Sequence, residues 1–569
     1  MWSLYKLGDG EYKYAPPLRY STGKTQENVL EEIVEGLEKH DVVLFKGAVG
    51  TGKSAVALHV CKEMGRGIVV VPTKVLERQY ARDYGGNLFA VKKDDDSWLS
   101  ITMLMGRSNF ECPFGKCKAN DLSIPCRVPL KPEETRVEVA SQCPHYSPIV
   151  PSRLLDFVLK KVDAGNPRAY MAVGGEHAFI ERRPCGFYEQ YRGYIFSDVL
   201  VMNEKIWEAE TILRRKPHVP VEIIDEGDAF LDGLTLKVSI SERKFEKLRK
   251  KIESLKDAER RRKLKDELEK LYRFFKGLLR VGYNGKETDE YRKFLEKYRA
   301  LSEGLDESAY RIGSLLESEF YVHTTEKSLR FFVPAPDKVL RRYMRLSGKL
   351  VLMSATIQSV DVLEDVFGLR RFVVVEGEVK FPGRLYVRRV GTERWVTYKK
   401  WEHEDFRERY WLTLMKILEN ASRPTVVHVF RRYLPEDFDG SKLRDVRLLE
   451  DIGEEDGELL VFSTISYRGV DLRDEKCRSI VVLKYPYPDL NDPVLQTMKM
   501  RLGEEAFWRY YEDIARRTFI QQVGRGLRHE NDWCEFWSPD LHALVRIEEL
   551  WEGELVGCYR TLTLDRWFG

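Results

Sequence analysis

Apolar runs of strand length alternate with amphipathic stretches over the first hundred residues. Val42-Val43-Leu44-Phe45 is followed by a Gly-rich turn and a helical stretch from Lys53 to Met64, and Ile68-Val69-Val70-Val71 is a second run, closed by Pro72. Short apolar runs bounded by turn residues predict buried strands, and their alternation with helices predicts a parallel α/β sheet. From about Cys112 to Glu181 the periodicity dissolves into Pro, Gly and Cys, which predicts an insertion, and strand runs return at 198–202 and 221–225. Phe245, Leu248, Ile252 and Leu255, then Leu264, Leu268, Leu271, Phe275 and Leu278, step by three and four and predict long amphipathic helices. The phase breaks over a run containing Arg260-Arg261-Arg262, so two packed helices and one interrupted hairpin both fit; the arginines read as a solvated face ahead of a nucleic-acid contact. A buried strand at 350–353 and a second strand–helix series from about 371, with strands at 425–429, 458–462 and 479–483, predict a second α/β domain.

Composition narrows the picture. A chain of 569 residues predicts three to four domains. With 43% hydrophobic and 33% charged residues and no apolar run long enough to cross a bilayer, the expectation is a globular protein without membrane contact. The start, Met1-Trp2-Ser3-Leu4-Tyr5-Lys6, lacks the layout of a secretion signal, so a cytoplasmic location is expected. The 94 basic and 91 acidic residues leave a net charge of +3, which excludes a global nucleic-acid footprint and makes any such binding local. Of nine cysteines, Cys112, Cys117, Cys126, Cys143 and Cys185 share one stretch, which favours a metal or redox site, whereas Cys61, Cys477, Cys534 and Cys558 read as small core residues.

The chemistry begins at Gly47-Ala48-Val49-Gly50-Thr51-Gly52-Lys53-Ser54, the Walker A pattern, in its required setting between a strand and a helix. Gly47, Gly50 and Gly52, with Thr51 between them, let backbone amides wrap phosphates; Lys53 reaches the β and γ phosphates, and the Ser54 hydroxyl ligates Mg²⁺. Asp225-Glu226 ends a strand, so Asp225 reads as the second Mg²⁺ partner and Glu226 as the base that orients or deprotonates the attacking water. The bound nucleotide is expected to be ATP.

Ser354-Ala355-Thr356 and Gln521-x-x-Gly524-Arg525-x-x-Arg528 resemble motifs of the superfamily 2 helicases. That resemblance implies two RecA-like domains, with Arg525 and Arg528 touching the γ phosphate from the second and Gln521 a catalytic residue of the same motif. Gly469-Val470-Asp471-Leu472 matches the family's fifth motif, making Gly469 and Asp471 nucleotide-site candidates; Pro72-Thr73 matches its strand-contacting motif Ia, and Gln26 stands where related motors read adenine. The cysteine-rich insertion, with Gly106-Arg107-Ser108-Asn109-Phe110-Glu111-Cys112, Cys126, Cys143-Pro144-His145-Tyr146 and Cys185-Gly186-Phe187-Tyr188, resembles the iron-sulfur DNA helicases of the XPD/DinG family. Four thiolates suit a [4Fe-4S] cluster, and their wide spacing is unlike paired structural-zinc signatures. The resemblance implies Cys112, Cys126, Cys143 and Cys185 as ligands with Cys117 spare; zinc and free thiols remain alternatives.

The resemblance implies an α/β fold in which 1–105, 186–232 and 341–370 form the first, ATP-binding RecA-like domain. Residues 106–185 form an iron-sulfur insertion, 233–340 a helical arch, and 371–569 the second RecA-like domain. It further implies an ATP-dependent DNA helicase moving 5′ to 3′ on single-stranded DNA, acting at DNA junctions in repair, monomeric, and cytoplasmic in an archaeon or bacterium or nuclear in a eukaryote. A clamp or scaffold that does not unwind, and an RNA-directed helicase, are the alternatives. Tyr188, Tyr191 and Tyr194 are candidates for base stacking or for packing. The chain departs from the family at Asp225-Glu226-Gly227-Asp228, where Asp-Glu-Ala-His is usual.

Overall fold

The structure is a computed structural model. It describes residues 2–48, 50–86, 88–130, 134–162, 165–306, 309–430, 433–435, 438, 443–444, 460–463, 476–527 and 529–557. Two seven-stranded sheets organise it. In the first, strands lie in the order Phe372–Glu376, Val42–Lys46, Lys349–Ser354, Val221–Asp225, Gly67–Val71, Val199–Asn203 and Ile101–Leu104, all parallel. The central strands are buried along almost their whole length because helices cover both faces, and this is why they read as continuous rather than alternating apolar runs. The helix Lys53–Glu63 is likewise buried from Ala55 to Cys61.

The second sheet runs Leu443–Arg444, Leu460–Ser463, Thr425–His428, Ser479–Val482, Trp533–Trp537, Phe381–Val387 and Gly553–Val556, again all parallel. Two parallel-sheet α/β domains are therefore present, as the resemblance implied. The boundary between them moves: Phe372–Glu376, expected at the head of the second domain, pairs with Val42–Lys46 and closes the edge of the first sheet. An isolated apolar run does not say which of two sheets it joins; register with a distant strand decides that.

The insertion contains a two-stranded hairpin pairing Cys112 with Cys117 and an antiparallel sheet of Asn166–Ala172, Gly175–Glu181 and Ile149–Pro151. In the 233–340 segment a four-stranded sheet carries two separate helices, Glu242–Glu253 and Ala258–Val281, which settles the phase break in favour of a helix pair. Arg260 is no solvated residue: it is buried and donates to both oxygens of Glu134 in the insertion, at 2.6 and 2.5 Å. Arg127 donates to the Gly304 carbonyl and adds a second tie between the two insertions. A small antiparallel sheet of Leu4–Gly8, Glu11–Tyr14 and Phe89–Val91, absent from the sequence reading, flanks the first domain. Among the described residues no helix is long and apolar enough to cross a membrane.

Candidate functional site

The Walker loop follows Val42–Lys46 and turns back on itself through two left-handed glycines, Gly50 and Gly52, at φ of 82° and 72°. Gly52 also has no room for a side chain, since a Cβ there would stand 2.4 Å from Gln26 Nε2. The buried Gln26 amide is a brace for this loop: it accepts from Leu18 N–H at 2.8 Å and donates to the Thr51 and Gly52 carbonyls at 3.3 Å each. Lys53 Nζ donates to the Gly47 and Ala48 carbonyls at 2.8 and 3.1 Å, and Thr51 Oγ1 donates to Ala48 O at 2.7 Å. The interdomain linker seals one side, with Ala48 N–H on the Glu378 carbonyl and the Glu378 carboxylate on Ser21.

Asp225 and Glu226 close the adjacent strand. Burial and the neighbouring Glu226 charge push the Asp225 carboxyl up, against the Lys53 ammonium that lowers it. Such a carboxylate lacks a full counter-charge, which suits a bound divalent cation, and with the Ser54 hydroxyl it forms an oxygen donor set appropriate to Mg²⁺. Glu226 takes a left-handed conformation, φ 54° and ψ 47°, at the start of the helix Gly227–Gly233. For a residue other than glycine this conformation is strained, and it points to a functional position.

From the second domain, the helix Glu504–Val523 delivers Gln521 and the turn after it delivers Arg525. Gln521 Nε2 lies 3.3 Å from Glu226 Oε2 and 3.1 Å from Thr356 Oγ1, while Arg525 Nη2 donates to Glu226 Oε1 and to Gln521 Oε1 at 3.3 and 3.2 Å. The structure thus gathers Lys53, Asp225, Glu226, Gln521 and Arg525 at one interdomain cleft. Arg528, Gly469 and Asp471 lie outside the described residues.

The departure at Gly227-Asp228 has a packing cause. A Cβ on residue 227 would come within 2.8 to 3.1 Å of Leu352, including its backbone, so the helix sits closer to Lys349–Ser354 than alanine would allow. Asp228 is buried and accepts from Ser354 Oγ at 2.8 Å and Thr356 Oγ1 at 3.0 Å, and Gln358 Nε2 donates to its carbonyl. The carboxylate therefore ties the helix after Glu226 to the Ser-Ala-Thr turn. It also faces Arg517, at 3.6 Å, whose guanidinium bridges to Asp232 through 2.7 and 3.0 Å contacts and to Asp513 at 2.7 Å. Arg517 and Asp232 escaped the sequence reading. Arg517 lies one helical turn before Gln521, but nothing in the sequence marks its partner on the other domain.

In the insertion, the Cys143 thiol is raised by burial, against a His145 backbone hydrogen bond, and then by the charges of Cys126, Cys112 and Cys185. Cys185 is raised by burial, against the Tyr188 and Phe187 amides, and then by Cys126 and Cys112. Arg107 donates to Cys126 Sγ at 3.4 Å. Cys117 is raised by burial, Asp121 and then Cys112, its hairpin partner. Among the described residues no three His, Cys, Asp or Glu side chains are gathered to hold a metal ion. The donor set, four thiols with a guanidinium against one of them, fits a multi-iron cluster, which is wider than one ion and is anionic when held by thiolates. Tyr188, Tyr191 and Tyr194 are packing residues: all three are buried in the main core, and Tyr188 accepts from Arg107.

Two parallel-sheet domains meet at a Walker loop, with glutamine and arginine crossing from the second, the arrangement that the resemblance to superfamily 2 helicases implied. Residues 396–541 match the family described as Helicase C-terminal domain. The chain is 23% identical over 566 residues to the ATP-dependent DNA helicase XPD of Sulfolobus acidocaldarius, covering 90% of this chain and 95% of that protein. Among solved structures, an XPD helicase superposes with a TM-score of 0.61 at 18% identity, covering 93% of this chain and 99% of the other. Xpd4 of S. tokodaii superposes at 0.51 and 15% identity, with the same coverage. In sequence and in fold the chain is thus similar to the XPD helicases.

Proposed function

We propose that this chain is an ATP-dependent DNA helicase that moves 5′ to 3′ along single-stranded DNA as a monomer and opens duplex at junctions during repair. The observation that carries the reading is Glu226 of the first domain, met at 3.3 Å by both Gln521 and Arg525 of the second. The relative's name, an ATP-dependent DNA helicase, supports DNA as the substrate.

In this reading the Lys53 ammonium binds the β and γ phosphates where it now meets two loop carbonyls. Glu226 accepts a proton from the attacking water, and Arg525, with Arg528, balances charge growing on the γ-phosphoryl oxygens. Mg²⁺, when bound through Ser54 and Asp225, neutralises phosphate charge. Because Arg525 belongs to the second domain, the γ phosphate adds a partner shared by both domains, and its loss weakens the closed cleft and lets the domains part, advancing the strand gripped at Pro72-Thr73. Cys112, Cys126, Cys143 and Cys185 would hold a [4Fe-4S] cluster that fixes the shape of the insertion.

The test is ATP turnover with and without a single-stranded oligonucleotide. DNA-stimulated turnover that falls about 100-fold or more in Lys53→Ala is expected. Turnover indifferent to DNA and to Lys53→Ala would sink the motor reading. Stronger stimulation by RNA of equal length would transfer the substrate to RNA.

A further inference from the structure

The helix Lys74–Tyr84 starts at Thr73, whose hydroxyl caps it by accepting from Leu76 N–H. Tyr80 and Tyr84, four residues apart, lie on one helical face with ring centroids 5.8 Å apart. Tyr84 OH stands 3.1 Å from Ser54 Oγ. Tyr80 is only 3% exposed and its hydroxyl has no hydrogen-bond partner. Ser54, one of the two residues assigned to hold Mg²⁺, therefore has a phenol against its hydroxyl.

We propose that Tyr84, backed by the Tyr80 ring, is a positioning residue for Mg²⁺-ATP, setting the Ser54 hydroxyl from the helix Lys74–Tyr84. This rests on the reading of Ser54 and Asp225 given above. A serine that offers a lone pair to a cation must direct its proton elsewhere, and Tyr84 oxygen is the acceptor within reach at 3.1 Å. Coordination also makes that hydroxyl a stronger donor, so the bond tightens when the ion arrives. The unpartnered Tyr80 hydroxyl is costly in a dry site and is satisfied by a water carried in with a hydrated cation, since Mg²⁺ usually keeps several of its waters. Losing a partner that orients a metal ligand typically costs about 10- to 100-fold in metal affinity.

The test uses the full chain and two readouts, Mg²⁺ titration of ATP turnover and Mg²⁺-dependent binding of a fluorescent mant-ATP analogue. Tyr84→Phe keeps the ring contacts to Tyr80 and Phe89, so the fold is retained. It should raise the Mg²⁺ midpoint about 10-fold in both readouts while leaving kcat at saturating Mg²⁺ within about twofold of the parent. Tyr80→Phe should shift the midpoint in the same direction by a smaller factor, and serves if Tyr84→Phe folds poorly. A loss of kcat with an unmoved midpoint would reduce Tyr84 to a structural role and overturn the proposal. Parent protein whose mant-ATP binding ignores Mg²⁺ would overturn both this inference and the assignment of Ser54 and Asp225. A Mg²⁺-dependent parent with unshifted variants overturns this inference alone.

Discussion

Truncating Arg517 to alanine removes a buried guanidinium that carboxylates of both domains face. The guanidinium is 1% exposed and holds Asp232 at 2.7 Å from the other domain and Asp513 at 2.7 Å from its own helix, with Asp228 at 3.6 Å. Removing one partner of a buried ion pair costs about 3–5 kcal/mol, because the remaining charge keeps its desolvation penalty and loses its attraction. For a domain of roughly 200 residues, about 2–4 °C of melting temperature accompanies each kcal/mol, so a fall of about 10 °C is expected. The loss should depend on pH. Losing one guanidinium weakens the charged form of the carboxylates that face it, so the folded variant holds protons that its unfolded chain releases. Its stability is then fullest at low pH and falls as pH rises; the deficit should be largest near pH 8 and shrink toward pH 5. Arg517→Lys should recover less than half, since one ammonium cannot make the two-point contact with Asp232 and also reach Asp513. The assay is a thermal scan followed by tryptophan emission at pH 5 and pH 8. A fall below about 2 °C, equal at both pH values, would refute the claim that this network clamps the domains.

Glu77 is 3% exposed and its carboxyl is pushed up to about 7 by burial, against two weak contacts from Asn203. A raised acid contributes stability that is full below its unfolded value near 4.5 and lost as pH rises through about 7; Glu77→Gln should therefore be more stable than the parent at pH 8, by up to about 3 kcal/mol, and not at pH 4, as thermal scans would show. Gly52→Ala meets both a left-handed backbone and Gln26 Nε2, and should weaken mant-ATP binding at least about tenfold, equal to about 1.4 kcal/mol, by fluorescence titration. Cys126→Ser should lose the iron and sulfide of anaerobically purified protein, while Cys117→Ser keeps them; zinc without iron in the parent would dismiss the cluster.

The amino-acid sequence alone determined what depends on neighbours along the chain. Walker chemistry was legible at Gly47 to Ser54 because loop, lysine and hydroxyl are contiguous, and the sheet strands were legible because double burial writes itself as an unbroken apolar run. The resemblance to a helicase family was legible from motif text spread over most of the chain. Only the tertiary structure decided what depends on distant partners. It assigned Phe372–Glu376 to the first sheet through pairing with Val42–Lys46, and buried Arg260 against Glu134, where helical periodicity alone suggested a solvated face. It also showed why Asp228 can stand where histidine is usual: the Ser354 and Thr356 hydroxyls and the Arg517 guanidinium, far away in sequence, converge on one carboxylate. Periodicity reports which face of an element is covered, but the identity of the covering group is a three-dimensional fact, and so are the polar contacts that join the two domains.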